Sequence, residues 1–136
     1  MIPTEDQCKV LWEKYMLPER KRKHVMLVAK VAVFLANKLD QLDTFDKLDK
    51  KLLVAGALLH DIDKNVKKLP GERHPDAGVR ILKEEWMEEV AALVATHSLH
   101  TILAGSDMIQ HRGQAFQKGQ TPSIAPKTWE EKLLFL

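Results

Sequence analysis

Apolar residues recur at helical spacing along most of the 136-residue chain, and the alternation typical of strands is scarce. Proline, glycine and capping residues interrupt this periodicity at several points and divide it into segments. The pattern therefore predicts an all-α protein, a compact bundle of five to six helices in a single domain over residues 1–136. The predicted helices span residues 5–16, 19–39, 46–62, 75–86, 87–103 and 128–136.

Two of these helices carry a clear apolar stripe. In the second, Leu27, Val31, Phe34 and Leu35 have the i, i+4, i+7, i+8 spacing of one helix face, so we expect this face to be buried. In the fifth, the stripe of residues 90, 93 and 94 continues into His97, which places a histidine on an inward face. A polar stretch over residues 105–127 predicts a long loop.

The composition is that of an ordinary globular protein, with 45% hydrophobic and 29% charged residues. A net charge of +2 gives no reason to expect a nucleic-acid or membrane partner. No apolar run approaches the ~20 residues that a membrane helix needs. Cys8 is the one cysteine, which excludes an intrachain disulfide. The default expectation is a cytoplasmic protein.

The first candidate functional residues are His60 and Asp61, which follow the apolar face of the third predicted helix. A neutral imidazole beside a carboxylate suits a divalent metal such as Zn, Fe, Mn or Co. The dipeptide alone is also typical of a hydrogen-bonded core histidine at a helix end. However, four histidines occupy core-facing helix positions, which is more than a core needs because each buried imidazole requires partners. These four are His24, His60, His74 and His97.

The ordered pattern resembles the HD-domain family of metal-dependent phosphohydrolases over most of the chain, from His24 to Leu136. His24 matches the first histidine of the family signature. The string Leu58-Leu59-His60-Asp61-Ile62-Asp63-Lys64 resembles its His-Asp motif, with Asp63 in place of the usual glycine. Two further segments resemble ligand segments of the two-metal branch of the family, whose members split dinucleoside polyphosphates. These segments are His74-Pro75-Asp76-Ala77-Gly78 and Val94-Ala95-Thr96-His97.

The resemblance implies a ligand set. His24, His60 and Asp61 would hold one ion, and Asp61 would bridge to a second ion held by His74 and His97. The cofactor is one or two divalent ions of Fe, Mn, Co, Zn or Mg. Asp61 and Lys64 would be the catalytic residues, with Lys64 meeting a phosphate oxygen unless it is simply a solvated lysine.

Two nearby features allow more than one interpretation. Asp63 could orient a ligand histidine or the attacking water, or it could face solvent. The basic run Arg20-Lys21-Arg22-Lys23 is typical of a solvated helix start, although its place directly before His24 could attract polyanionic substrates.

The resemblance therefore predicts an enzyme, a metal-dependent phosphohydrolase that cleaves phosphoester or phosphoanhydride bonds of nucleotides, including dinucleoside polyphosphates. Its partner would be a phosphate-bearing small molecule, and a homodimer is compatible with the sequence. One alternative is a one-metal phosphatase of nucleoside monophosphates. The other is a regulatory nucleotide-binding HD domain that has lost catalysis.

The family signature ends in an aspartate that these 136 residues do not contain. Thr128-Trp129-Glu130-Glu131 forms a capping box for a last helix, and the sequence stops where the aspartate would follow. We therefore expect a domain truncated at its C-terminus, and an ion on the His24 side that is bound weakly.

Overall fold

The computed structural model describes residues 1–41, 49–97 and Glu130. The described residues form five α-helices and no strand, which confirms the predicted all-α bundle. The helices are α1 (Glu5–Lys14), α2 (Glu19–Asp40), α3 (Lys50–Leu59), α4 (Asp76–Glu84) and α5 (Glu88–Ala95). None of them is long and apolar enough to cross a membrane. The predicted loop over 105–127 lies outside the described residues, as does the predicted helix over 128–136 apart from Glu130.

Side-chain caps explain where two of the helices begin. The hydroxyl of Thr4 accepts a hydrogen bond from the backbone N–H of Gln7, and the Gln7 side chain accepts one from Thr4 in return. Asp49 caps α3 by accepting from the N–H of Leu52 at 3.0 Å. Each cap satisfies backbone donors that the first helical turn leaves without a partner.

Helix α3 lies at the centre of the fold and packs against α1, α2 and α5. Leu53 and Leu59 on this helix are fully buried, and Leu58 is 1% exposed. The indole N–H of Trp12 on α1 donates to the backbone carbonyl of Leu58 at 2.8 Å. These contacts fix the carboxyl end of α3 inside the core, which is where His60 and Asp61 follow.

The predicted burial of the α2 stripe was wrong for three of its four residues. Leu27, Val31 and Phe34 are 61%, 50% and 60% exposed, and Leu35 is half-buried. The buried face of the helix consists of small side chains, namely Val25, Ala29, Ala32 and Ala36. Small residues allow α2 to approach α3 closely, and α2 and α3 form the most extensive helix–helix contact of the described fold. The larger side chains therefore point away from the core.

Helices α1 and α4 end at Lys14 and Glu84, two residues before their predicted ends, and two further predicted ends also differ from the structure. Helix α3 ends at Leu59 instead of continuing to Ile62, and residues 60–65 form turns. Helix α5 ends at Ala95, and the predicted extension to Leu103 passes outside the described residues after His97. Both differences place candidate ligands just beyond a helix end, where the backbone can turn a side chain toward a neighbouring element.

Candidate metal centre

The five predicted ligands come from four separate segments and meet in one place. His24 lies in the second turn of α2, and His60 and Asp61 follow the last residue of α3. His74 precedes Pro75 at the start of α4, and His97 follows the end of α5. Neighbouring imidazole rings lie 5.0–5.4 Å apart between centroids, from His24 through His60 and His97 to His74.

Asp61 lies between two groups of histidines and is 4% exposed. Its Oδ2 atom is 3.6 Å from Nε2 of His24 and 3.7 Å from Nε2 of His60. Its Oδ1 atom is 3.4 Å from Nε2 of His74, which in turn lies 3.1 Å from Nε2 of His97. The described residues therefore offer two three-ligand groups that could hold a metal ion, His24-His60-Asp61 and Asp61-His74-His97, with the ligand atoms of each group within 4.8 Å of one another.

Hydrogen bonds on the far side of three rings orient them toward Asp61. The Nδ1 atom of His60 lies 2.6 Å from the carbonyl oxygen of Ala57, and that of His97 lies 2.5 Å from the carbonyl of Val94. A carbonyl oxygen only accepts, so Nδ1 of each ring carries the proton and donates. The proton is thereby assigned to Nδ1 by the hydrogen-bond partners, and Nε2 is left with a lone pair.

Asp63 plays the same part for His74. Its Oδ1 atom lies 2.8 Å from Nδ1 of His74, and the side chain is fully buried. Of the alternatives that the sequence left open for Asp63, the structure therefore places it against a candidate ligand histidine and away from solvent.

The arrangement of His74 and His97 fits a bound cation. Both rings donate through Nδ1, so in their neutral forms their Nε2 atoms face each other at 3.1 Å as two acceptors. Two acceptors cannot form a hydrogen bond with each other, whereas a metal ion between them would accept both lone pairs. Imidazole nitrogens with a carboxylate are the donor set that Zn, Fe, Mn and Co prefer.

The electrostatic environment favours the ligating forms of these groups. Burial lowers the pKa of His97 to about 4 and lowers the pKa of His60 below its usual range. Both imidazoles are therefore neutral near pH 7, which is the form that binds metal. Burial alone would raise the pKa of Asp61, but its electrostatic interactions with the surrounding imidazoles and with the ammonium groups of Lys64 and Lys21 outweigh burial and lower that pKa.

Two lysines approach Asp61, each at a different carboxylate oxygen. The predicted phosphate-contacting residue, Lys64, has its ammonium group 4.0 Å from Oδ1 of Asp61, although it reaches this place from a turn and not from a continued helix. Sequence reasoning missed the second, Lys21, whose Nζ lies 3.5 Å from Oδ2. Its position one helical turn before His24 was the available signal, because residues three apart share a helix face.

Comparison with protein families agrees with this fold. The family model described as HD domain matches residues 22–128. The chain is 29% identical over 134 residues to a tRNA (cytidine(56)-2'-O)-methyltransferase of Picrophilus torridus. It is 33% identical over 136 residues to the protein of the same name from Thermoplasma volcanium. Each match covers 98% of this chain but 35% of the relative, so the chain spans about a third of the length of these curated relatives.

No solved structure matches the chain. The HD-domain match contains the described candidate ligands from His24 to His97 and extends over more than half of the sequence. The chain therefore belongs to the HD-domain family.

Proposed function

We propose that this chain is a metal-dependent phosphohydrolase domain that cleaves phosphoester or phosphoanhydride bonds of nucleotides. The observation that carries the proposal is the position of Asp61, with one carboxylate oxygen beside His24 and His60 and the other beside His74. A carboxylate that lies between two sets of histidine ligands is suited to bind two metal ions that lie close together. Dinucleoside polyphosphates, which carry a chain of anhydrides, are the substrates we propose to test first.

Each residue has a distinct part in this proposal. His24 and His60 would hold one ion with Oδ2 of Asp61, and His74 and His97 would hold the other with Oδ1. When bound, divalent ions lower the pKa of a coordinated water and stabilise the charge of a phosphoryl transition state. Lys64 would contact a phosphoryl oxygen as a point charge. Asp63 would orient the ring of His74 by accepting a hydrogen bond from its Nδ1.

The one-metal alternative, a nucleoside monophosphate phosphatase, leaves His74 and His97 without an ion. Their facing Nε2 atoms, 3.1 Å apart, argue against it because they have no proton to share in the neutral state. Metal stoichiometry separates the two. Protein purified without chelators and equilibrated with Mn²⁺ or Co²⁺ should bind two ions per chain under the two-metal proposal and one under the alternative.

The activity itself is tested with a panel of substrates. Diadenosine tetraphosphate, a nucleoside triphosphate and a nucleoside monophosphate are each incubated with metal-loaded protein, and the products are separated by chromatography. We expect hydrolysis that chelator abolishes and that Asp61→Asn removes. Asp40→Asn is the matched control, since Asp40 pairs with Lys50 at the far end of α2 from His24. Metal-loaded protein that leaves all three substrates intact would contradict the proposal.

A second candidate function has its own support in the relatives. Both are named as tRNA methyltransferases, and this chain matches only about a third of each. An HD domain in such a protein could bind a nucleotide and regulate a neighbouring activity without hydrolysing the ligand. Nucleotide binding that is tight, metal-dependent and free of turnover would favour this regulatory function over the enzyme.

A further inference from the structure

We infer that Lys21 is a second phosphate-contacting residue, placed at the Oδ2 atom of Asp61, whereas Lys64 lies at the Oδ1 atom. The inference rests on the proposed function, because it concerns the ligand of the same centre. It assigns to Lys21 the binding of an anionic phosphoryl oxygen next to the His24 and His60 group. The sequence alone left two interpretations of the run that contains Lys21, a solvated helix start or a charge cluster that attracts polyanionic substrates.

The members of the basic run occupy different environments. Arg22 serves the fold, since its guanidinium donates to the carbonyl of Leu17 at 2.7 Å and pairs with Glu13 on α1. Lys23 is exposed. Lys21 extends its side chain, 28% exposed, toward the centre and brings its ammonium group to 3.5 Å from Oδ2 of Asp61. Only this contact connects the run to the candidate ligands within the part of the chain that the structure describes.

The two lysines lie near different carboxylate oxygens of Asp61. Lys21 approaches Oδ2 of Asp61, the oxygen that also faces His24 and His60. Lys64 approaches Oδ1, the oxygen that faces His74. A phosphoryl group bound at the centre would therefore have an ammonium donor available near each oxygen of Asp61.

The charges around Asp61 favour an anionic ligand as the partner of both lysines once a metal ion is bound. The formal charges of the two carboxylates, Asp61 and Asp63, are equal and opposite to those of the two ammonium groups, Lys21 and Lys64, that approach Asp61. Any divalent ion that takes the oxygens of Asp61 makes the centre positive and removes the partner of both lysines. Partly buried charges require a compensating partner, and a phosphoryl group supplies up to two negative charges at neutral pH. A lysine can turn to this partner because its four-carbon stem is flexible.

The test compares Lys21→Ala and Lys21→Gln with Lys23→Ala, a lysine of the same run that is exposed. Calorimetry measures the affinity of the metal-loaded proteins for inorganic phosphate, and kinetics on the best substrate separate KM from kcat. A lost hydrogen bond from a charged donor corresponds to a weakening of about 10–100-fold in phosphate affinity and a similar rise in KM. The control should stay within about twofold of the wild type, as surface substitutions usually do. Lys21→Arg keeps the charge and should restore part of the affinity.

The metal affinity of the variants distinguishes a Lys21 that contacts phosphate from a Lys21 that only positions Asp61. If Lys21 only held Asp61 in position, both Lys21 variants would bind metal more weakly and Lys21→Arg would rescue metal binding. Under our inference, metal affinity is unchanged or tighter, because a competing cation has been removed from Asp61. Circular dichroism of the variants excludes unfolding as the cause, and Lys21→Gln retains most of the side-chain packing if the alanine variant fails to fold.

The outcomes for this inference and for the proposed function are separable. Wild-type protein that hydrolyses nucleotides, with phosphate affinity and KM equal in the Lys21 and Lys23 variants, would overturn the inference and leave the enzyme intact. Phosphate binding that depends on Lys21 in a protein without hydrolysis would support the inference and favour the regulatory function. Wild-type protein that neither binds phosphate nor hydrolyses nucleotides would overturn both.

Discussion

Replacing Asp63 with asparagine should weaken metal binding on the His74 side of the centre and leave the fold intact. The asparagine has almost the same shape but no charge, and its amide group can turn its N–H donors toward Nδ1 of His74. Nδ1 would then accept, and the ring proton would move to Nε2. A protonated Nε2 has no lone pair for a metal ion, so the substitution acts on the ligand without touching it.

The structure sets the size of the effect. The bond between His74 and Asp63 is 2.8 Å long, and its acceptor is a fully buried carboxylate. A hydrogen bond to a charged group contributes about 1.5–3 kcal/mol, which corresponds to roughly a 10–150-fold change in an equilibrium constant. Loss of an orienting partner of a metal ligand typically weakens affinity by about 10–100-fold, in agreement with this range.

Folding stability should change little in the same variant. The second carboxylate oxygen of Asp63, Oδ2, is buried and has no hydrogen-bond partner among the described residues. Asparagine removes a buried charge, which offsets part of the lost hydrogen bond, so we expect a change of about 1 kcal/mol or less in the free energy of unfolding. The variant therefore separates a role in ligand orientation from a role in the core.

Titration calorimetry with Co²⁺, supported by elemental analysis, measures the effect. We expect one of two binding steps to weaken in Asp63→Asn and the other to keep its wild-type affinity. Asp40→Asn controls for the loss of one negative charge, because that carboxylate pairs with Lys50 on the surface. Two wild-type binding steps in Asp63→Asn would refute the assignment of Asp63 as an orienting residue.

Three further predictions follow from burial. In urea denaturation, Leu59→Ala should lower the free energy of unfolding by about 2–5 kcal/mol, whereas Leu27→Ala should change it by about 0.5 kcal/mol or less. Similar changes for the two variants would contradict the described packing of α2 and α3. Burial raises the pKa of Cys8 to about 12, so a thiol reagent at pH 8 should label unfolded but not native protein. The fold lowers the pKa of His97 to about 4, below the usual histidine pKa of about 6.5. The free energy of unfolding of metal-free protein should therefore decrease as the pH falls from about 6.5 to about 4. A free energy that stays constant over this range would refute the burial of His97 as a neutral imidazole.

Sequence reasoning predicted the helices and the meeting of the histidines, but not which face of α2 is buried. That helix has two apolar stripes, one of large side chains that includes Leu27 and Phe34 and one of alanines. Periodicity identifies both stripes, and hydrophobicity favours the larger side chains. The choice between them depends on how closely α3 approaches, which is a tertiary property that the local pattern does not contain.

The candidate ligands were predicted from the order of the histidines and from the resemblance to the HD-domain family, although His24, which was expected at a core-facing position, has a side chain that is 47% exposed. The exact relations of these ligands were not predicted, since Asp63 and Lys21 act across turns and between elements. The side of the chain to which Asp63 points depends on turns after Leu59, where the sequence favoured a continued helix. Lys21 was hidden in a basic run whose members have the same charge but different neighbours, and only the packing of α2 beside the end of α3 distinguishes them.

The origin of the candidate ligands in four separate segments has a consequence for folding thermodynamics. A metal ion at this centre would act as a cross-link among α2, the end of α3, the start of α4 and the end of α5. The unfolded chain cannot assemble these ligands, so binding and folding would be linked equilibria. At a free metal concentration 100 times the Kd, such linkage adds about 2.7 kcal/mol to the free energy of unfolding. The thermal stability of this domain would then report the free metal concentration of its surroundings.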